Sequence, residues 1–239
     1  MAPTADSWFF FDKIYCISID TRGDRRTEAK KQFADVGLLE RVEFELVKKH
    51  PDNQEKGIFQ SHMLCLNKGL QAGARHILIF EDDILFQGYQ PEVLRNATLF
   101  LQNFPAWNGF FLGGITTKMT KTDEQSVVNI QYRCLAHAYA LNHSFAKRIV
   151  QETWNDIPFD DILRRHCKDF FAIYPMIAFQ SQASTDNQTI AIDKMRRFFG
   201  GLPFIQKTNE FFQRHKTLIL CIHLLFLAAI TLAIVNAWT

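Results

Sequence analysis

The sequence predicts an α/β domain followed by a transmembrane helix. Three observations carry this reading. Residues 13–47 run strand, helix, strand, the opening of a parallel sheet. Residues 76–80 form a short apolar strand of the kind buried on both sheet faces, and it runs directly into three carboxylates. Residues 218–235 carry no charge and are broken only by His223 and Thr231. A chain of 239 residues accommodates one domain of roughly 200 residues plus an appendage.

The elements follow in order. Ile14, Tyr15, Cys16, Ile17, Ser18 and Ile19 make a first strand over residues 13–19. Residues 20–26 are a polar turn containing Gly23, and Glu28, Ala29, Lys30, Lys31 and Gln32 favour a helix over 27–36, ended by Gly37. Val42, Phe44 and Leu46 alternate with Glu43 and Glu45, the period of a second strand. After a polar loop at 51–57, Met63, Leu64, Leu66 and Leu70 space a helix over 58–72, closed by Gly73. Beyond the acidic triplet the sequence predicts a helix at 91–102, strands at 109–114 and 135–141, helices at 143–153 and 160–167, and a last strand region at 170–179.

Composition narrows the function classes. Apolar residues make up 47% and charged residues 22%, enough to fold rather than remain disordered. A net charge of +2 with no concentrated basic face gives no footprint for nucleic acid. The 23 phenylalanines read as an aromatic-rich core. Five scattered cysteines, Cys16, Cys65, Cys134, Cys167 and Cys221, show no CxxC spacing, so free thiols in a reducing compartment are expected rather than disulfides or zinc. Trp8-Phe9-Phe10-Phe11, between Asp6 and Asp12, is too short for a signal peptide.

The triplet Glu81-Asp82-Asp83 is the main candidate for chemistry. Crowded carboxylates at the end of a buried strand require neutralisation, and hard oxygen ligands suit Mg²⁺ or Mn²⁺. Strand geometry puts Glu81 and Asp83 on one side and Asp82 on the other. The C-terminal edge of a parallel sheet is where open α/β folds bind ligands, and a metal there holds phosphate oxygens. A solvated acidic turn is the alternative. Another metal-dependent nucleotidyl or phosphoryl transferase also suits the triplet, although Gly-x-x-x-x-Gly-Lys-Ser/Thr is absent.

The C-terminal run spans roughly 27 Å as a helix, close to the hydrocarbon thickness. Trp238 stands at its far end as an interfacial aromatic. Before it lie Lys194, Arg196, Arg197, Lys207, Arg214, His215 and Lys216, interleaved with Phe198, Phe199, Phe204, Phe211 and Phe212. Basic residues beside a membrane helix stay cytoplasmic and attract anionic lipid. The expected organisation is a sheet domain at 1–190, a basic aromatic juxtamembrane segment at 191–217 and a transmembrane helix at 218–238. This is a single-pass C-terminal anchor with the domain cytoplasmic. The sequons at Asn96, Asn142 and Asn187 matter only for a luminal domain.

Five ordered motifs resemble glycosyltransferase family 25, the lipopolysaccharide and procollagen galactosyltransferases. They are Tyr15-Cys16-Ile17-Ser18-Ile19-Asp20 with Arg22-Gly23-Asp24-Arg25; Gly57-Ile58-Phe59-Gln60-Ser61-His62; Ile79-Phe80-Glu81-Asp82-Asp83-Ile84; Leu112-Gly113 with Ala136-His137-Ala138-Tyr139; and Pro158-Phe159-Asp160 with Tyr174-Pro175 and Gln180. Ser18 stands where asparagine is usual, Gln60 replaces a small residue or cysteine, and the region after Gln180 matches poorly. The resemblance implies a GT-A-like, Rossmann-type sheet domain and Mn²⁺ (or Mg²⁺). It also implies a nucleotide-sugar donor such as UDP-galactose, and inverting transfer to a glycan or protein hydroxyl.

Roles are assigned on that footing. Asp83 and Glu81 are the expected metal ligands, and Asp82 meets the ribose or sugar. Ser18, Asp20, Arg25, Ser61, His62 and His137 are the further donor-binding candidates. Arg25 pairs either with a phosphate or with an acidic partner, Ser61 is a helix N-cap, and His137 otherwise reads as a core histidine. Asp160 and Asp161 are candidates for the base, Asp160 preferred from the motif, with Asp186 a third carboxylate. A membrane-anchored, catalytically degenerate binding module is the non-enzyme alternative.

Overall fold

The computed structural model describes residues 7–181 and 201–238. After a 3-10 turn (Ser7–Phe10) come β1 (Lys13–Ile19), α1 (Gly23–Asp35), β2 (Val42–Val47), α2 (Gln54–Gln71), β3 (His76–Glu81), β4 (Ile84–Phe86) and α3 (Pro91–Asn103). Then follow β5 (Gly109–Phe111), β6 (Ile115–Lys121), β7 (Val127–Cys134), β8 (Ala138–Asn142), α4 (His143–Ile149), α5 (Phe159–Arg165), β9 (Phe170–Ile173), β10 (Ala178–Gln180) and α6 (Gly201–Trp238).

The expected α/β class holds. One 8-stranded sheet has the order β2-β1-β3-β8-β5-β9-β7-β6, and β4 and β10 form a separate 2-stranded sheet. β1 pairs in parallel with both β2 and β3, so these three strands end at the same edge. β8 then runs antiparallel to β3 and β5, which makes the sheet mixed.

The apolar alternation of β3 sorts its side chains between two cores. Leu78 and Phe80 enter the core beneath α1, α3 and the N-terminal aromatics, with Phe33, Trp8 and Phe10. Ile77 and Ile79 enter the core beneath α2, α4 and α5, with Leu66, Phe145 and Phe159. A strand covered by helices on both faces must be apolar on both, which is what residues 76–80 show. Gly69 lets α2 lie close to β3, since a Cβ there meets Ile77 Cδ1 at 2.6 Å.

Several boundaries differ from the sequence reading. α1 begins at Gly23, not residue 27, so Arg25 lies in a helical first turn rather than a loop. α2 begins at Gln54, because Asn53 is the N-cap and its side chain accepts from the Lys56 amide. Ser61 is therefore not a cap: it sits inside the helix and donates to the Gly57 carbonyl at 2.7 Å. The strand expected at 135–141 begins at Ala138. The β6–β7 hairpin is absent from the sequence reading, since Thr117, Lys118, Thr120 and Lys121 obscure its alternation. The last strand region divides into β9 and β10, which belong to different sheets.

α6 runs without interruption from Gly201 to Trp238, so the boundary expected at 217/218 falls inside one helix. It is the one helix among the described residues long and apolar enough to cross a membrane, and none of its apolar window is buried. Lys194, Arg196, Arg197, Phe198 and Phe199 of the basic aromatic stretch lie outside the described residues, as do Asp186 and Asn187.

Candidate active site

A cavity of about 380 Å³ opens at the C-terminal ends of the three parallel strands. Ile17 and Ile19 of β1, Val47 of β2 and Glu81 of β3 line its floor. Lys48, Lys49, His50, Gln54 and Glu55 form one rim, and Leu135, Pro158, Phe159 and Asp160 the facing wall. The volume lies within the roughly 300–1,000 Å³ of small-molecule sites.

The acidic triplet does not continue the strand. β3 ends at Glu81, and Asp82 and Asp83 occupy a turn before β4. The alternation expected of a strand is thus broken. Asp82 and Asp83 instead share one guanidinium: Arg25 donates to Asp82 Oδ1 at 3.0 Å and to Asp83 Oδ2 at 3.2 Å. Ser18 Oγ donates to Asp82 Oδ2 at 2.7 Å. Of the two partners foreseen for Arg25, the structure places the acidic one against it.

Glu81 and Asp83 still converge, because Gln180 Nε2 lies 3.3 Å from Glu81 Oε2 and 3.4 Å from Asp83 Oδ2. β10 brings Gln180 there by pairing with β4, with Gln180 opposite Ile84. Asp83 Oδ1 is buried without a partner. Burial and the neighbouring Glu81 charge push Asp83 up to about 7, against the pull of Arg25. Burial and the Asp160 and Asp82 charges push Glu81 up to about 8, although its side chain keeps 28% of its surface open to cavity water.

Among the described residues no three His, Cys, Asp or Glu side chains form a metal cage. An Mg²⁺- or Mn²⁺-type ion at a phosphate site needs fewer protein ligands: one or two carboxylates, with water and phosphate completing the shell. Two converging carboxylates with raised pKa values and an unpartnered buried oxygen fit that donor set.

The other candidates separate. His62 is buried at the cavity, stacked on Phe159 at 4.3 Å, with Nδ1 3.0 Å from Tyr139 Oη and Nε2 3.4 Å from Glu81 Oε1. Ser61 also lines the cavity, whereas Ser18 reaches it only through Asp82. Asp20 is exposed and does not line it. His137 is wholly buried behind the site, between the Leu135 and Ala178 carbonyls at 3.1 and 3.2 Å, the placement of a core histidine.

Asp160 faces the cavity and Asp161 does not; Asp161 pairs with Arg164 at 3.0 Å. Both Asp160 oxygens accept hydrogen bonds. Oδ1 takes the Tyr132 hydroxyl and the Ala136 amide, and Oδ2 takes the Leu135 amide at 3.0 Å. Oδ2 keeps room for a second donor. These bonds hold Leu135 at φ 74°, a left-handed conformation that costs a bulky residue about 1–3 kcal/mol and is a feature of functional sites.

The sequence reading did not count Gln180 among the site residues, although it stood in the last motif. Phe159 likewise stood in that motif without being assigned to the site, and Tyr132 and Leu202 carried no sequence signal, because distant segments bring them together.

Burial holds both His62 and His137 neutral, with pKa values lowered from 6.5 to about 4. A folded pKa below the unfolded one gives stability that is complete above 6.5 and lost as pH falls toward 4. Glu81 and Asp83 carry the opposite slope over an overlapping window, so a variant must isolate one group. His137→Asn should cost stability at pH 7, and that cost should shrink by about 1.4 kcal/mol per pH unit between 6.5 and 4. Urea unfolding in detergent at pH 7 and 4.5 reads the difference; an equal cost at both pH values contradicts the neutral buried state.

A sheet whose parallel strand ends open on an acidic cavity with an apolar wall is a small-molecule site. Comparison with known families defines the class: the chain is a glycosyltransferase. Residues 47–163 match glycosyltransferase family 25 (LPS biosynthesis protein). The matched segment holds His62, the acidic triplet, His137 and Asp160, and excludes Arg25 and Gln180.

Solved structures are similar at low identity. A197 from STIV is 10% identical over 70% of this chain and 83% of that one, with a TM-score of 0.45. A glycosyltransferase involved in the glycosylation of the major capsid of PBCV-1 is 9% identical over 77% and 96%, with a TM-score of 0.39. UDP-glucose pyrophosphorylase complexed with UDP-glucose is 15% identical over 75% and 83%, also with a TM-score of 0.39. No curated protein matches the chain.

Proposed function

We propose that the protein transfers a hexose, galactose from UDP-galactose, to a hydroxyl of a membrane-associated glycan or protein, with inversion at the anomeric carbon. The observation that carries this is the convergence of Glu81 and Asp83 on Gln180 in the lining of the cavity, with Asp83 Oδ1 unpartnered. Glu81 and Asp83 would hold Mn²⁺ or Mg²⁺, which would supply positive charge to a departing diphosphate when bound.

The chain's own residues do the rest in this reading. Arg25 fixes the Asp82-Asp83 turn, and Asp82 faces the ribose or sugar. His62, neutral and stacked on Phe159, offers a hydrogen bond without a competing charge. Asp160 Oδ2 accepts the acceptor proton as the hydroxyl oxygen bonds to the anomeric carbon and the bond to the diphosphate breaks. Asp161, outside the cavity, leaves Asp160 as the better-placed base of the two.

Residues 1–190 serve as the catalytic domain in this proposal. The apolar half of α6 anchors it, and the basic residues before that run set the domain on the cytoplasmic side. The test is release of UDP by the full chain in detergent, given Mn²⁺ and a panel of UDP-sugars. Release from one donor, increased by a hydroxyl acceptor, is expected. Donor binding without release or transfer overturns the catalytic reading.

A further inference from the structure

The membrane helix is built into the wall of the active site. Leu202, in the first turns of α6, lines the cavity. One turn on, Gln206 is completely buried; its Oε1 accepts from the Gln180 amide at 3.0 Å and its Nε2 lies 3.5 Å from the Ala178 carbonyl. Glu210 Oε1 accepts from the Met176 amide at 2.8 Å. Asn209 accepts from the Thr116 amide and donates to the Thr116 carbonyl, both at 2.9 Å. Positions 206, 209 and 210 share one helix face, so a single stripe of α6 meets backbone groups of Met176, Ala178, Gln180 and Thr116 at β10 and the start of β6. Lys207 over the Phe179 ring and Arg214 over the Tyr174 ring extend the contact. The same helix is apolar from residue 218 to 235, and residues 220–236 are exposed.

This arrangement links the helix to the acid pair in two steps. Gln206 holds the Gln180 backbone, and the Gln180 side chain spans Glu81 and Asp83. An amide is the side chain for this place, because it accepts from Gln180 and donates toward Ala178 at once. Gly113 shows how tightly the segment is confined: a Cβ there lies 1.8 Å from the Ala178 oxygen.

We propose that Gln206 is a positioning residue for the donor site, so that α6 contributes to that site through Gln206 rather than serving only as a tether to it. The proposal rests on the functional reading above. Its geometric part, that Gln206 fixes Gln180, stands apart from it. The helix continues without a break from Gln206 to Leu218, so the span also sets Gln206 roughly 18 Å along the helix from the start of the apolar run.

The experiment uses the full chain in detergent, where tethering to a bilayer plays no part. Mn²⁺ affinity is read by electron paramagnetic resonance, turnover by UDP release, and the Gln180 amide by hydrogen exchange. Gln206→Leu should weaken Mn²⁺ binding about 10–100-fold, the usual loss for a group that orients a metal ligand, and lower kcat with it. The Gln180 amide should exchange faster. In a Gln180→Ala background the same substitution should add no further loss of Mn²⁺ affinity, because its path to the carboxylates is gone. Asn209→Ala, which loosens the same helix from β6, should leave Mn²⁺ affinity unchanged.

Wild-type Mn²⁺ affinity and kcat in Gln206→Leu overturn the proposal. So does an equal loss in Asn209→Ala, which makes the effect one of general undocking. A wild-type protein that neither binds Mn²⁺ nor releases UDP overturns the functional reading instead. Hydrogen exchange at Gln180 then decides alone whether Gln206 holds that strand, and unchanged exchange refutes it.

Discussion

Asp83→Asn should abolish sugar transfer in a protein that remains folded. On the proposed reading, in which Glu81 and Asp83 hold the metal, loss of one of the two carboxylates would remove several kcal/mol of stabilisation from the departing diphosphate, a fall in turnover of roughly 10³-fold or more. The fold should barely register the change. Asp83 is buried with a pKa raised to about 7, so its charge is a strain on the folded state that the neutral amide relieves. Arg25 loses one of its two carboxylate partners and keeps Asp82. The net change in stability should stay within about 1 kcal/mol. UDP release together with urea unfolding separates the two effects. Full turnover in this variant would falsify the assignment of Asp83; an unfolded variant would show that its role is structural.

Arg25→Ala should do the reverse and damage the fold first. The Arg25, Asp82 and Asp83 side chains are 11%, 4% and 6% exposed, so the guanidinium compensates two carboxylates that water barely reaches. Removing one member of a buried ionic cluster leaves uncompensated charge and costs about 3–5 kcal/mol. The cost depends on pH in a defined direction. Without Arg25 the two carboxyls lie further above their unfolded value of about 3.9, so the folded state binds more protons than the unfolded one. Stability then falls as pH rises from about 4 to about 8, and the deficit is small at pH 4 and complete near pH 8. Mn²⁺ should restore part of it at pH 8 by replacing the lost positive charge. Denaturant unfolding at the two pH values, with and without the ion, checks this. A deficit independent of pH contradicts the compensation of buried charge by Arg25.

Legibility in the sequence followed the range of the interactions. β1, β2, β3 and α3 were readable to within a residue or so because each declares itself locally, by alternation, by an apolar run or by a proline at the helix start. The starts of α1 and α2 were displaced. The residues that open them, Gly23-Asp24 and Gln54-Glu55, look like loop, and only backbone conformation and the Asn53 cap show otherwise. The β6–β7 hairpin escaped because solvent-facing threonines and lysines blur its period. At the site, the triplet was visible as three carboxylates after an apolar strand, but its geometry was not. A strand predicts alternation; a turn tied to Arg25 delivers Asp82 and Asp83 to the same cation.

The sequence by itself determined the α/β class, the parallel opening, the acidic strand end, the motifs of a glycosyltransferase and an apolar run of spanning length. These depend on periodicity and on short ordered motifs, which survive in one dimension. Only the tertiary structure decided which groups neutralise the triplet, that Asp160 faces the cavity while Asp161 turns away, and that His137 stands behind the site. It alone joined Gln206 to Gln180 and so to Glu81 and Asp83. Those relations connect residues from 26 to 99 positions apart, and no local pattern encodes which distant side chain meets which once the sheet has formed.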